Sequence, residues 1–240
     1  MQGTGTQADP YIPATWSEFV TAVGNSGVYV SLPEGGGVFN MNEIAPEGGI
    51  KVTFSCIKID GNGWSIENSF NINFLATSYN ARIHDLNFLN FYINKDENLF
   101  ECNDTSFDNC KFSGIIATNY IPFYKVYLNR CSINCQFIGN TQSFLSSYSE
   151  CTFCNILLDH SKTTRTSISM NLNGDYNFYE HRIKDGVTRT PTINGKANVW
   201  HESSTGGLIT DTDGNSHEVT EEQLKNVAYL QSIGFPIAGD

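Results

Sequence analysis

Between Ile50 and His160 the chain repeats itself loosely. Short apolar runs alternate with corners of Asn, Ser, Asp and Gly, as in IKIDGNG, ARIHDLNFLNF, TSFDNCKFSG, RCSINCQFIGN and ECTFCNILLD. Aligned on apolar-x-apolar pairs, the anchors are Ile57/Ile59, Leu86/Phe88, Cys110/Phe112, Cys135/Phe137 and Cys154/Ile156, at steps of 29, 24, 25 and 19 residues. Alternation with a period of two is strand patterning and excludes helical repeats. A β-type unit of this length buries its apolar face only by stacking on its neighbours. The expectation is a mainly β chain built as a parallel solenoid, each coil sending one or two side chains inward and leaving Asn and Ser at the corners.

Composition fits that reading. Only 16% of the residues are charged, against 40% hydrophobic, and Asn, Ser, Thr and Gly fill the difference, the usage of a turn-rich β protein. The formal charge of −11 argues against a phosphate-binding surface, which needs stripes of Lys and Arg, so no nucleic-acid partner is expected. No stretch approaches the roughly 18 to 20 apolar residues of a membrane span. MQGTGTQADP carries neither a basic nor an apolar leader region, so with Met1 as the start the chain is expected to be made in a reducing cytoplasm.

The flanks read differently from the repeat. Thr15 is placed to cap a short helix whose Trp16, Phe19, Val20 and Val23 share one face, with Gly24 and Asn25 as its stop. VYVSLPEGG then reads as a strand entering a turn. Together these make residues 1–48 an N-terminal cap on a solenoid spanning 49–160. Residues 161–218 keep strand alternation and turn signals but lose the repeat, and read as last coils or a β-rich transition. In 219–240, Thr220 and Gln223 form a capping box, and Gly234 with Pro236 ends the helix. Leu224, Val227, Leu230 and Phe235 are the apolar residues expected to dock this tail on its own chain or a neighbour.

Four of the seven cysteines fall as Cys131-x3-Cys135 and Cys151-x2-Cys154. Zinc ligands of that spacing sit on tight knuckles, whereas SIN and TF between these pairs are strand formers. On straight strands Cys131 and Cys135 would share a face, and Cys151 and Cys154 would point to opposite faces. Cys110, Cys135 and Cys154 stand where Leu86 and Ile57 stand in other units, so the thiols are expected to pack as small apolar groups. No metal and no cofactor are expected.

Two stretches carry a family resemblance. GTGTQADPY followed by TWSEFVTAV resembles the opening of bacterial and phage surface proteins in which a capping helix precedes a right-handed parallel β-helix. IKIDGNGWSIEN, from Ile57 to Asn68, is similar to an early coil of pectate-lyase-like β-helices. The resemblance covers about residues 3–160 and implies a right-handed parallel β-helix with an N-terminal capping helix and a short C-terminal docking helix. It is nearly silent on activity, since this fold hosts many functions.

By analogy, the expected role is a non-enzymatic structural or attachment component of a phage particle: a capsid decoration, head fibre or tail appendage. Its partners would be other virion proteins and a host-surface glycan, with a homotrimer as a further expectation. It would be made in the host cytoplasm, carried in the virion and extracellular once released. The surface candidates are Tyr120, Tyr124, Tyr127 and Tyr148, since tyrosine rings beside Asn and Asp suit glycan and protein surfaces. The alternatives are a secreted glycan-binding adhesin and a polysaccharide lyase or hydrolase. Glycoside hydrolysis needs a proton donor and a second carboxylate, for which Asp85, Asp108 and Asp159 are the candidates, with Asp104, His84, His160 and Arg130 nearby in the pattern. DTDGNSHE has its Gly at the wrong place for a calcium loop and reads as a hairpin turn.

Overall fold

The computed structural model describes residues 1–46, 48–77, 80–94, 99–118, 121–139, 145, 148–202 and 206–237. It is a mainly β protein, 49% strand and 11% helix, whose strands stack into a parallel β-solenoid of about 6 turns. One long sheet carries strands Val38–Asn40, Ser65–Glu67, Asn87–Ile93, Lys111–Ile116, Ser132–Gly139, Asn155–Thr163, Phe178–Ile183 and Val199–Glu202, each parallel to the next. A second follows Tyr29–Ser31, Lys58–Asp60, Arg82–His84, Phe100–Asp108, Phe123–Asn129 and Glu150–Thr152. Ser167–Asn173 and Thr188–Asn194 pair as a third, two-stranded sheet.

Register defines the true repeat. Phe39, Ile66, Phe88, Phe112, Ile133, Ile156, Tyr179 and Trp200 lie directly over one another in the long sheet, and all are buried. Aromatic members stack, with Phe88 and Phe112 5.4 Å apart and 1° from parallel. A second column, Phe74, Phe100 and Phe123, repeats at 5.2 and 5.3 Å. Such columns contribute beyond their buried area, by about 0.5–1.5 kcal/mol per pair.

Two of the expected anchors are displaced. The column mate of Leu86/Phe88 in the preceding coil is Trp64/Ile66, while Ile57 is 42% exposed. Likewise Cys131/Ile133, not Cys135/Phe137, follows Cys110/Phe112. Corner insertions shift the phase by a few residues, and alternation alone cannot count them.

From Asp85 onward, the corner leading into the first long sheet is built the same way in each coil. Asp85, Asn109, Arg130, Phe153, Tyr176 and Ala197 occupy it, all left-handed with φ of 51°, 53°, 52°, 53°, 58° and 55°. The first five corner amides donate to a carbonyl one coil on, as Asp85 to Asp108 at 3.1 Å and Tyr176 to Lys196 at 3.0 Å, and Ala197 donates to Asp211 of the terminal hairpin turn at 2.9 Å. The next residue turns inward: Leu86, Cys110, Cys131, Cys154, Asn177 and Asn198, all buried. The left-handed step explains why Cys151 and Cys154 are both interior, contrary to the opposite faces expected of a straight strand. Phe153 is the corner between them.

The cysteines are free and buried. Cys110, Cys131 and Cys154 donate their thiols to carbonyls of the preceding coil, as Cys131 to Phe107 at 3.4 Å. Burial pushes Cys56 and Cys102 up to about 12, so these side chains stay protonated. Farther along, Asn177 and Asn198 replace the thiols, linked side chain to side chain at 3.0 Å.

Parallel coils run from Tyr29 to Glu202, and so reach into both the N-terminal and the transitional stretches of the sequence. At the start, the helix Trp16–Gly24, capped by Thr15, buries Phe19, Ala22 and Val23 over the first coil. At the end the direction reverses: Val199–Glu202 pairs antiparallel with Gly206–Thr210, and that strand with Ser216–Val219. DTDGNSHE forms this hairpin turn, where the Asp211 carboxylate accepts from the amides of Asp213 and Asn215 at 2.9 Å. The capping box at Thr220 is present, but the expected single helix is two, Glu221–Leu224 and Val227–Ser232. Asn226 divides them because its side chain caps the second through Tyr229.

Candidate functional site

The outer surface of the second long sheet concentrates the polar and aromatic candidates. Outward residues fall in columns there as strictly as the inward ones. One column is Asp60, His84, Asp108, Asn129 and Thr152; another, two residues earlier on each strand, is Lys58, Arg82, Ser106, Tyr127 and Glu150.

The first column, with the adjoining corner, gathers two of the three carboxylates the sequence singles out. His84 Nδ1 lies 3.0 Å from Asp85 Oδ2 and 3.6 Å from Asp60 Oδ1, and its Nε2 faces Asp108 Oδ2 at 3.8 Å. Arg130 grips both oxygens of Asp108, and Asn129 adds a bond at 2.9 Å. Asp85 accepts from the side chain of Asn109. The Arg130 bond, reinforced by its charge and outweighing partial burial, holds Asp108 below the usual carboxylate range.

Asp85 and Asp108 thus flank one imidazole but are one position out of register, for Asp108 pairs with His84. Asp159 does not join them. It sits on the other long sheet, beside Gln136 at 3.0 Å. Burial acts to raise its pKa, yet hydrogen bonds from Ser161 and Gln136 outweigh that and leave it lowered. A proton donor for glycosidic cleavage needs a raised pKa, and both Asp108 and Asp159 are shifted the other way.

Among the described residues, Asp60, His84 and Asp85 are the one grouping whose ligand atoms all lie within 4.8 Å of one another. Both carboxylates already engage the same imidazole nitrogen, and these contacts explain the grouping without an ion.

Next to this cluster, Tyr124, Tyr127, Tyr148, Lys125, Asp104 and Glu150 line an open groove of about 540 Å³. Local backbone positions them. Asp104 and Lys125 are left-handed, with φ of 58° and 54°, where the register slips between Tyr124 and Val126. That irregularity lifts Lys125 outward, so its ammonium lies 5.6 Å from the Tyr124 ring centre and 5.9 Å from that of Tyr148. Tyr148 is 64% exposed and Tyr127 37%. Tyr120 lies outside the described residues. The groove therefore offers ring faces, one cation and two carboxylates, a set suited to polyhydroxylated or polar partners.

Elsewhere, Leu224, Leu230 and Phe235 of the C-terminal tail face Phe178, Val199 and Ile209 of the same chain across a cavity of about 270 Å³, so the tail folds back on its own solenoid. Val227 is 55% exposed and turned away from it. His160, a sequence candidate, is wholly buried, stacked on Phe137 at 4.4 Å and bonded to His181 at 3.1 Å.

Three features escape sequence reading. Lys125 joins the groove only because of a register slip. His84 meets Asp60 and Asp108 through coil stacking. Phe153, read as a strand former, and Tyr176, not singled out in the sequence, stand at corners with their rings stacked at 5.0 Å. The signal for these last two was the step of 23 residues from Arg130 to Phe153 and again from Phe153 to Tyr176, visible once Cys131 and Cys154 are aligned.

Compared with known proteins, the chain matches no family model, no curated protein and no solved structure.

Proposed function

We propose that this protein is a non-catalytic structural and attachment component of a phage-type particle, which holds a rigid β-solenoid face against a host-surface glycan. The observation that carries this reading is the groove of Tyr124, Tyr127 and Tyr148 with Lys125, Asp104 and Glu150. Tyrosines present ring area at little cost in conformational entropy, and the underlying coils hold them at fixed spacing. The ion-paired state of Asp108 and the separation of Asp159 weigh against hydrolysis.

Two measurements test the proposal. Quantitative mass spectrometry of purified particles should find the protein at tens to hundreds of copies per particle. A glycan array should give binding that Tyr124→Ala with Tyr148→Ala removes while thermal stability is kept. Absence from particles overturns the particle role. Retention of binding by the double variant overturns the groove.

A further inference from the structure

The groove does not end at Tyr127. Glu150, its neighbour in register, also lines a second open cleft of about 480 Å³ formed with Thr152, Asn173, Asp175 and Asn194. This cleft lies one to three coils farther along the solenoid and shares Glu150 with the first. Its walls are fixed by short polar bonds: Asn194 donates to Asn173 at 2.9 Å, and Asp175 accepts from the Lys196 amide at 2.9 Å. The corners beside it are Phe153 and Tyr176, which directly follow Thr152 and Asp175.

Those two aromatics are costly where they stand. A left-handed backbone suits Asn, Asp or Gly, and a bulky side chain there is an outlier that the surroundings must impose. The same column offers Asp85 and Asn109, the residue types the geometry favours. Phe153 and Tyr176 gain no burial in return, being 58% and 41% exposed. Their rings stack on each other, so together they present an exposed aromatic ridge directly after Thr152 and Asp175, two residues that line the cleft.

Resting on the reading of the groove as a glycan site, we infer that the two clefts form one continuous binding track, and that its ligand is an uncharged, linear polysaccharide lying along the solenoid axis. Along the track, from Asp104 to Asn194, stand the carboxylates Asp104, Glu150 and Asp175 and a single ammonium, Lys125. Acidic glycans are disfavoured by that balance, while hydroxyl groups find carboxylate and amide acceptors throughout. From Asp104 to Asn194 the track crosses four coil steps, about 19 Å at about 4.8 Å per step, the reach of a short oligosaccharide and not of a terminal sugar. The Phe153–Tyr176 ridge supplies the apolar contact for the far end of the chain.

Calorimetric titration of the full chain with neutral gluco-, manno- and galacto-oligosaccharides, from monosaccharide to hexasaccharide, tests this. Affinity should climb with length for the matching series. The Phe153→Asn/Tyr176→Asn double variant should keep the affinity for short members and lose the gain for long ones, by about tenfold or more. Asn suits the left-handed corner, so its melting temperature should equal or exceed that of the parent, which separates lost contact from lost fold. Affinity independent of length, or an unchanged double variant, overturns the extended track and leaves the glycan reading standing. Binding of acidic glycans alone overturns the neutral assignment. No binding of any glycan overturns the glycan reading itself.

Discussion

At the scale of single residues, the interior of the solenoid changes character along its axis. Early coils are filled by phenylalanine, whereas later ones admit His160, His181, Asn177 and Asn198, all buried. Among the described residues His160 Nε2 and His181 Nδ1 have no hydrogen-bond partner, the latter lying 3.9 Å from Glu202 Oε1, so the pair is held at a cost. Burial, with the neighbouring His181, depresses the His160 pKa from 6.5 to about 3. The folded state thus binds this proton less readily than the unfolded chain. Its stabilising contribution is complete above pH 6.5 and is lost as pH falls through the unfolded value toward about 3, at roughly 1.4 kcal/mol per pH unit. Denaturant melts between neutral and mildly acid pH should show this slope. His160→Phe, which keeps the stack on Phe137, should flatten it by about one proton. Equal slopes in the two proteins would remove His160 as the acid-sensitive group.

At the scale of elements, corners carry the specificity. Gly174 has φ 122°, and a Cβ there would stand 1.8 Å from the Cys151 carbonyl oxygen; at Gly195 it would stand 2.1 Å from that of Gly174. Coils approach so closely at these turns that only glycine fits. Gly174→Ala should therefore destabilise by more than about 3 kcal/mol. Gly186, at φ 79° with open space around it, should lose only about 1–2 kcal/mol on the same change, from backbone strain alone. Similar losses at both sites, measured by chemical denaturation, would contradict the close-approach account.

The same corners set the limit of sequence reading. Strand character, the terminal caps and the core placement of the thiols were legible because alternation and capping are local signals. Coil boundaries were not. Cys135/Phe137 and Cys131/Ile133 are equally good apolar-x-apolar pairs, and only register distinguishes them. For the candidate site, Tyr124, Tyr127 and Tyr148 could be picked out as aromatic, but Asp104 and Glu150 reach the groove through coil stacking, and Lys125 through the register slip beside Tyr124.

At the scale of the whole molecule, the chain is a stack whose units contact mainly their neighbours, so its stability is expected to be nearly additive along the axis. The reversal at Val199–Glu202 then has a consequence for assembly. A parallel coil is a template, and an exposed last coil invites the first coil of another molecule to continue it. Here the template is closed. The long sheet finishes in an antiparallel hairpin, and the third sheet finishes on Thr188–Asn194, where Pro191 has no amide hydrogen to offer. Removing residues 206–240 should convert a discrete chain into a seed for filaments, visible by electron microscopy and thioflavin fluorescence; a truncated chain that stays monodisperse would show that the hairpin is not the brake. Length is fixed in this protein by how the last strand is turned, much as a polymer's length is fixed by a terminator.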